Sequence, residues 1–251
     1  MLLTASPQLD SSNSLRIVVA KEDRLYGECL KQNIENSLRN AEVNQVGSLT
    51  EAQAVMHALG RCDLLVCGVG FRDGDSLEWL EGVVSSRSAS RVLIVTACRK
   101  IHIISLLREI TLNGLLDPVE AGLEELSHAL DFVLSGGYYL SPSFHELLHS
   151  VETSAVELIR NLTAKEQLVM GAIGDGSDDA EAAGRLGMST AAVRSHRKRL
   201  HTKLGISHRG ELMRIAFTHG FVRVINSEIV RPGFASLMKK VSRPPWEPRA
   251  G

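Results

Sequence analysis

Between Ser189 and Gly205 the chain reads STAAVRSHRKRLHTKLG, with five Lys and Arg residues, two histidines and no acid. Val193, Leu200 and Leu204 recur there at helical spacing, so one face of the segment packs and the remainder is cationic. Such a helix is costly to bury against protein, and a polyanion is its economical partner. No other reactive arrangement emerges. No nucleophile is paired with a base and no phosphate loop is present, so the chain does not read as an enzyme and no cofactor is expected. Cys29, Cys62, Cys67 and Cys98 lack the paired short spacings of a zinc site and read as reduced core thiols, with no metal expected.

The elements that must present this helix divide by charge. The 251 residues are 44% hydrophobic and 23% charged, as in soluble globular proteins, and the formal net charge is only -1. That balance hides a split. Residues 1–159 carry 12 Lys+Arg against 21 Asp+Glu, whereas residues 160–251 carry 16 against 8, which implies two domains with different partners. The first residues, MLLTASPQLDSSNS, lack the cationic region and sustained apolar run of a secretory signal, and no 18-residue apolar segment follows. A cytoplasmic location without a membrane partner is expected.

In the acidic part, short β-branched runs alternate with helical periodicity. Leu15–Ala20 reads as a strand and Arg24–Leu38 as a helix; Glu42–Val46 and Leu49–Leu59, Asp63–Val69 and Ser76–Val84, Arg91–Ala97 and Ile101–Ile110, and Gly114–Asp117 and Leu123–Leu134 repeat the pattern. Five strand–helix repeats predict a parallel, doubly wound α/β sheet, with any site outside the carboxyl ends of the strands. Element order, Thr96 at the end of the fourth strand and the closing SGGYYLSP together resemble the flavodoxin-like receiver domain of bacterial response regulators, over about residues 15–140.

That resemblance implies a magnesium and phosphoacceptor site, and the residues present do not supply it. The first acidic pair aligns with Lys21 and Glu22, the phosphoacceptor with Gly68, and the lysine after the fifth strand with Asp117; only Glu22 and Thr96 suit the family's chemistry. Lys21 puts a cation where the metal would sit, and without a carboxylate at position 68 there is no nucleophile. Leu115 stands where such receivers carry an aromatic that moves with the threonine. The expectation is a pseudo-receiver, in which Lys21 and Asp117 either form an ion pair in place of the metal cluster or stand solvated at the rim. Asp73 and Asp75, several residues past the strand end, read as turn and helix-cap residues.

In the basic part, Thr163 and Glu166 form a capping-box pattern ahead of the stripe Leu168, Val169, Ala172 and Ile173. A second helix over about Asp178–Leu186, a turn at Gly187-Met188-Ser189, the cationic helix and a last helix over Arg209–His219 make an all-α helix–turn–helix unit. The segments LTAKEQLVM, AEAAGRLGMS, AAVRSHRKRLHTKLGIS and HRGELMRIAFTHG resemble the LuxR-type helix–turn–helix, and the whole chain resembles the NarL/FixJ class of response regulators. The resemblance implies double-stranded DNA as partner, with Arg194, Ser195 and Lys198 facing base edges. Thr190, Arg197 and Lys203 are assigned to phosphates, and Met213 and Phe217 to a homodimer contact. Ala182 and Gly184 depart from the family's larger aliphatic and better helix formers.

The expected organisation is a leader at 1–14, the receiver-like domain at 15–141, a linker at 142–160, the DNA-binding domain at 161–222 and a basic, extended tail at 223–251. Composition leaves Phe144–Ile159 open between a linker helix and partial disorder. The function expected is a sequence-specific transcriptional regulator independent of aspartyl phosphate. Two alternatives stay open: a regulator sensing a small molecule in the space vacated at Gly68, and a signalling adaptor whose basic helix binds an acidic protein.

Overall fold

The computed structural model describes residues 14–149, 157, 159, 161–225 and 227–242. Its N-terminal half alternates β1 (Leu15–Ala20), α1 (Arg24–Ser37), β2 (Ala41–Val46), α2 (Leu49–Leu59), β3 (Leu64–Cys67), α3 (Ser76–Ser85), β4 (Val92–Val95), α4 (Ile101–Glu109), β5 (Gly114–Leu116) and α5 (Leu123–Leu134). A two-residue β6 (Tyr139–Leu140) and α6 (Pro142–His149) follow. The strands lie parallel in the order β2-β1-β3-β4-β5-β6. The doubly wound α/β class expected from the sequence is thus present, and the sheet is one strand wider than the five repeats predict. Tyr139 and Leu140 are too short a run to show periodicity. β6 can approach because Gly114 has no side chain: a Cβ there would lie 2.9 Å from the Tyr139 carbonyl oxygen.

Alternation along β1 sorts the core. Ile17 and Val19 pack with Leu30, Ile34, Leu126 and Leu130 on the α1/α5 face. Val18 and Ala20 pack on the other face, beneath α2, α3 and α4. Helix starts are fixed by side chains: Asp23 accepts from the Tyr26 amide (3.0 Å), Ser48 from Glu51 (3.1 Å) and Asp75 from Leu77 (3.0 Å). Asp73 also reaches back to α2, accepting from the Leu49 and Thr50 amides at 3.0 and 2.8 Å. Both aspartates therefore serve the turn and cap roles read from the sequence.

The second half contains α7 (Ala164–Ile173), α8 (Asp179–Leu186), α9 (Thr190–Leu204) and α10 (Arg209–His219), then a hairpin of β7 (Arg223–Ile225) and β8 (Glu228–Val230), and α11 (Phe234–Ser242). Among the described residues no helix is long and apolar enough to cross a membrane. Half of Phe144–Ile159, residues 150–156 and 158, lies outside the described residues, as does the leader except Ser14, so the linker's form is carried mainly by α6.

Residues 223–242 correct the expectation of an extended tail. Phe234, Leu237 and Met238 recur at helical spacing and turn α11 onto α7, with Leu237 buried. Lys239 and Lys240, part of the tail's basic charge, pair with Glu78 (2.7 Å) and Glu109 (2.6 Å) of the sheet domain. The described residues between Phe221 and Ser242 thus act as a strap between the halves. Arg223 donates to the Val69 carbonyl (2.8 Å), the Gly233 amide to Asp75 (2.5 Å), and Arg231 to the Gly171 carbonyl (2.9 Å) and Asp175. From the other side, the Lys100 ammonium donates to the Phe217 and Thr218 carbonyls at 2.6 and 3.3 Å, satisfying two acceptors at the C-terminal end of α10. One hydrophobic cluster consequently runs from the sheet through Ile103 and Leu107 into Leu168, Phe221 and Leu237.

His102 sits at the centre of this junction. It is 4% exposed, its ring stacks on Phe221 at 4.0 Å, and its Nε2 lies 3.2 Å from the Pro232 carbonyl oxygen, which it donates to as a neutral ring. Burial pushes its pKa down to about 4, and the Pro232 carbonyl offsets this only in part. Because the folded value lies below the unfolded 6.5, this group's stability is complete above pH 6.5 and is lost as pH falls from 6.5 towards 4. The expected loss is about 3 kcal/mol at pH 4. Urea unfolding at a series of pH values should show this slope in the wild type and a flatter one in His102→Gln; parallel slopes would remove His102 as its source.

Candidate nucleic-acid interface and the closed receiver edge

Local sequence builds the helical unit in three steps. Thr163 and Glu166 form a complete capping box: Glu166 Oε2 accepts the Thr163 amide (2.8 Å) and Thr163 Oγ1 accepts the Glu166 amide (3.3 Å). Asp178 and Glu181 form a second, in which Asp178 accepts from the Ala180 and Glu181 amides, both at 2.8 Å. Gly187 then adopts φ 60°, a left-handed turn that a side chain would strain, and Ser189 caps α9 by accepting from the Ala192 amide (3.2 Å).

Helix α9 anchors through Val193 and Leu200, both 0% exposed, against α7 and α8. Of the six residues assigned to DNA, Arg194, Ser195 and Lys198 are exposed and Thr190 is half-buried. Arg194, Ser195 and Lys198 share the outward side of the first turns by their spacing. Arg194 is 60% exposed even with its Nε 3.3 Å from Asp179.

Arg197 and Lys203 fit the phosphate assignment less well. Arg197 is withdrawn into an ion pair with Asp179 at 2.9 Å. Lys203 donates to the Asn161 carbonyl (2.7 Å) and to Glu166 (2.9 Å), both at the start of α7. Burial alone would push the Glu166 carboxyl up, but the Lys203 ammonium and the Thr163 donors outweigh it and hold it below the usual carboxylate range. Periodicity marks both residues as solvent-facing and says nothing of partners on neighbouring helices, which is why the sequence reading missed these pairs. Met213 is half-buried against the Gly176 turn, and Phe217 is half-buried beside the core with its carbonyl held by Lys100.

At the carboxyl edge of the sheet, the five residues aligned with a phosphorylation site lie at neighbouring strand ends, but their pairing differs from expectation. Lys21 does not pair with Asp117. Its ammonium donates to the Val95 carbonyl (3.0 Å) and lies 4.8 Å from the Tyr26 ring centroid. A Cβ built on Gly68 would stand 3.1 Å from Lys21 Nζ, so this side chain fills the space beside the glycine, and the small-molecule alternative loses its cavity. Burial pushes the Lys21 amine below the usual lysine range.

Asp117 is 0% exposed and turns instead to Arg99, whose Nε and Nη2 lie 2.8 and 2.6 Å from Oδ2. Ser143 Oγ adds a third donor at 3.1 Å, and the Val119 amide reaches Oδ1 at 2.9 Å. Burial pushes this carboxyl up, and the Val119 amide together with Arg99 outweighs it, leaving it below the usual range. Glu22 pairs with Arg72 at 2.5 Å, and Thr96 is buried with its hydroxyl accepting from the Cys98 amide (3.1 Å). Each charge at this edge has an internal partner. Arg99 and Arg72 were absent from the sequence reading because the alignment offers no position for them.

Comparison with known proteins places this geometry. Residues 160–216 match the family "Bacterial regulatory proteins, luxR family". The transcriptional regulatory protein MctR of Rhizobium johnstonii is 33% identical over 103 residues, 41% of this chain and 47% of that protein, so the match spans about half of that relative's length. The transcriptional regulatory protein YdfI of Bacillus subtilis is 27% identical over 167 residues, covering 65% of this chain and 78% of that protein. RcsB from Salmonella enterica serovar Typhimurium, solved bound to a promoter in the presence of a phosphomimetic, superposes with a TM-score of 0.57 at 16% identity, over 81% of this chain and 98% of that one. At that identity the likeness is one of fold.

Lys203 supplies the sharpest local test. Lys203→Ala should lower the unfolding free energy by about 1 kcal/mol, through loss of a charge-assisted bond and a partly exposed ion pair at the start of α7. Unchanged urea unfolding combined with weaker DNA binding would return Lys203 to the phosphate contacts.

Proposed function

We propose that this chain, whose residues 160–216 match the luxR family of bacterial regulatory proteins and which has the fold of response regulators, is a sequence-specific DNA-binding transcriptional regulator that works independently of aspartyl phosphorylation. The observation that carries the reading is the outward side of α9. Three polar residues there, two of them cationic, are exposed on a helix capped and anchored from behind. A helix so presented fits the major groove, where its N-terminal turns meet base edges.

In this proposal Arg194 reads a guanine, Lys198 and Ser195 contact neighbouring bases, and Thr190 contacts a phosphate near the start of the helix. The chain acts by binding rather than by catalysis, in the cytoplasm, and two copies pair through Met213 and Phe217 of α10 to read an inverted repeat. Phosphorylation independence draws support from the glycine at position 68 and from the ion pairs that occupy Glu22 and Asp117. Without a carboxylate nucleophile, and with a resident ammonium at the edge, neither phosphoryl transfer nor magnesium binding has its chemistry. The receiver-like domain is then a dimerisation and docking platform, or the receiver of a signal carried by another protein.

Gel-shift titration of the full chain on duplex DNA should give an apparent affinity that falls steeply with salt, as phosphate neutralisation requires. On an enriched duplex, Arg194→Ala should lose about 1–3 kcal/mol and relax preference at one base pair. Equal loss on every sequence would remove Arg194 as a reader. Salt-insensitive or absent binding would favour the adaptor reading, in which the basic helix meets an acidic protein.

A further inference from the structure

Asp179 is an acid facing the cationic helix, and capping does not account for it. The cap of α8 is complete without it: Asp178 accepts from two amides and Glu181 closes the box onto the Asp178 amide at 3.0 Å. The Asp179 carboxylate instead crosses to α9, where its Oδ2 takes Arg197 Nη2 at 2.9 Å and Arg194 Nε at 3.3 Å. The two arginines it joins differ in their freedom. The Arg194 side chain is 60% exposed and that of Arg197 is 33% exposed. Arg197 Nε is buried without a hydrogen-bond partner, beside a cavity of about 130 Å³ that Asp178, Asp179, His201 and Arg209 also line.

We infer that Asp179 is a positioning residue for base reading: it holds Arg194 by Nε so that the two terminal guanidinium nitrogens project into the groove, while Arg197 neutralises the carboxylate from behind. This rests on the reading of Arg194 proposed above and gives it a mechanism. A guanidinium can meet guanine O6 and N7 through its two terminal nitrogens or through Nε and one terminal nitrogen. With Nε engaged by Asp179, the end-on mode remains, and the long side chain loses rotamer freedom before DNA arrives. Charge explains the second arginine. A lone carboxylate beside the phosphates would repel them, whereas one carboxylate shared by two guanidinium groups leaves the cluster cationic. Arg197 therefore serves the protein side of the contact, in keeping with its withdrawal from solvent.

The test uses the full chain and a randomised duplex pool, from which the wild type enriches a site; affinities are then measured for that site and each of its single-base variants. The proteins are wild type, Arg194→Ala, Asp179→Ala, Asp179→Asn and the Arg194→Ala/Asp179→Ala double variant. The expected result is that Arg194→Ala flattens discrimination at one guanine-containing pair and that Asp179→Ala lowers discrimination at the same pair roughly tenfold, leaving the other positions unchanged. In the Arg194→Ala background, Asp179→Ala should then have no further effect on discrimination. Asp179→Asn, which keeps the shape and the intact Asp178 cap, should fall between wild type and Asp179→Ala, and it carries the test if Asp179→Ala fails to fold.

A helix-stabilising role for Asp179 would lower the melting temperature and weaken all duplexes alike, and that pattern overturns the inference. So does undiminished discrimination in Asp179→Ala alongside a flattened Arg194→Ala. If Arg194→Ala flattens no position, or if the pool yields no enriched site, the underlying DNA reading falls first and the role of Asp179 with it.

Discussion

The Lys21 ammonium fills the space beside Gly68, and the carboxyl edge of the sheet is arranged around that contact. That cation is held by the Val95 carbonyl and the Tyr26 ring, and Asp117 pairs with Arg99. Ser143 joins the same carboxylate, so the start of α6 is tied to the end of β5. The carboxylates of Glu22 and Asp117 are engaged by Arg72 and Arg99, and Asp117 also by the Val119 amide. The edge has become a structural joint.

That joint frees the loop after β3 for another purpose. In a phosphorylated receiver the end of β3 would carry the acceptor, whereas here Val69 accepts from Arg223 and Asp75 accepts from the Gly233 amide. The strap that supplies these donors also packs Leu237 onto α7 and stacks Phe221 on His102, so one continuous core spans both halves. Lys100 adds a cap on the last carbonyls of α10, the helix proposed to pair with a second copy. Helix α9, proposed to read DNA, makes its contacts with α7 and α8, and Arg194, Ser195 and Lys198 on its outward side are exposed.

Much of this was legible from residue order. The strand–helix alternation, the Thr163–Glu166 box, the Gly187 turn and the cationic face of α9 are local features, and local chemistry is what a sequence displays. Pairings between distant residues were not. Lys21 with Asp117 seemed the natural exchange of charges, yet Arg99, absent from any alignment argument, lies closer to Asp117 and takes it. The sequence assigns Lys203 and Arg197 to phosphates because their partners, Glu166 and Asp179, sit on other helices. The basic charge of the tail suggests an extended segment. Phe234, Leu237 and Met238 were the better signal, since their spacing rather than the charge count decides whether a segment can bury a face.

The proposed uncoupling of DNA binding from aspartyl phosphate is tested most directly by one measurement. The affinity of the full chain for its enriched duplex is determined with and without magnesium and acetyl phosphate, with intact mass recorded on the same samples. The account predicts unchanged affinity and no phosphoryl adduct. An adduct accompanied by a change in affinity of about fivefold or more, the low end of an allosteric coupling, would contradict it.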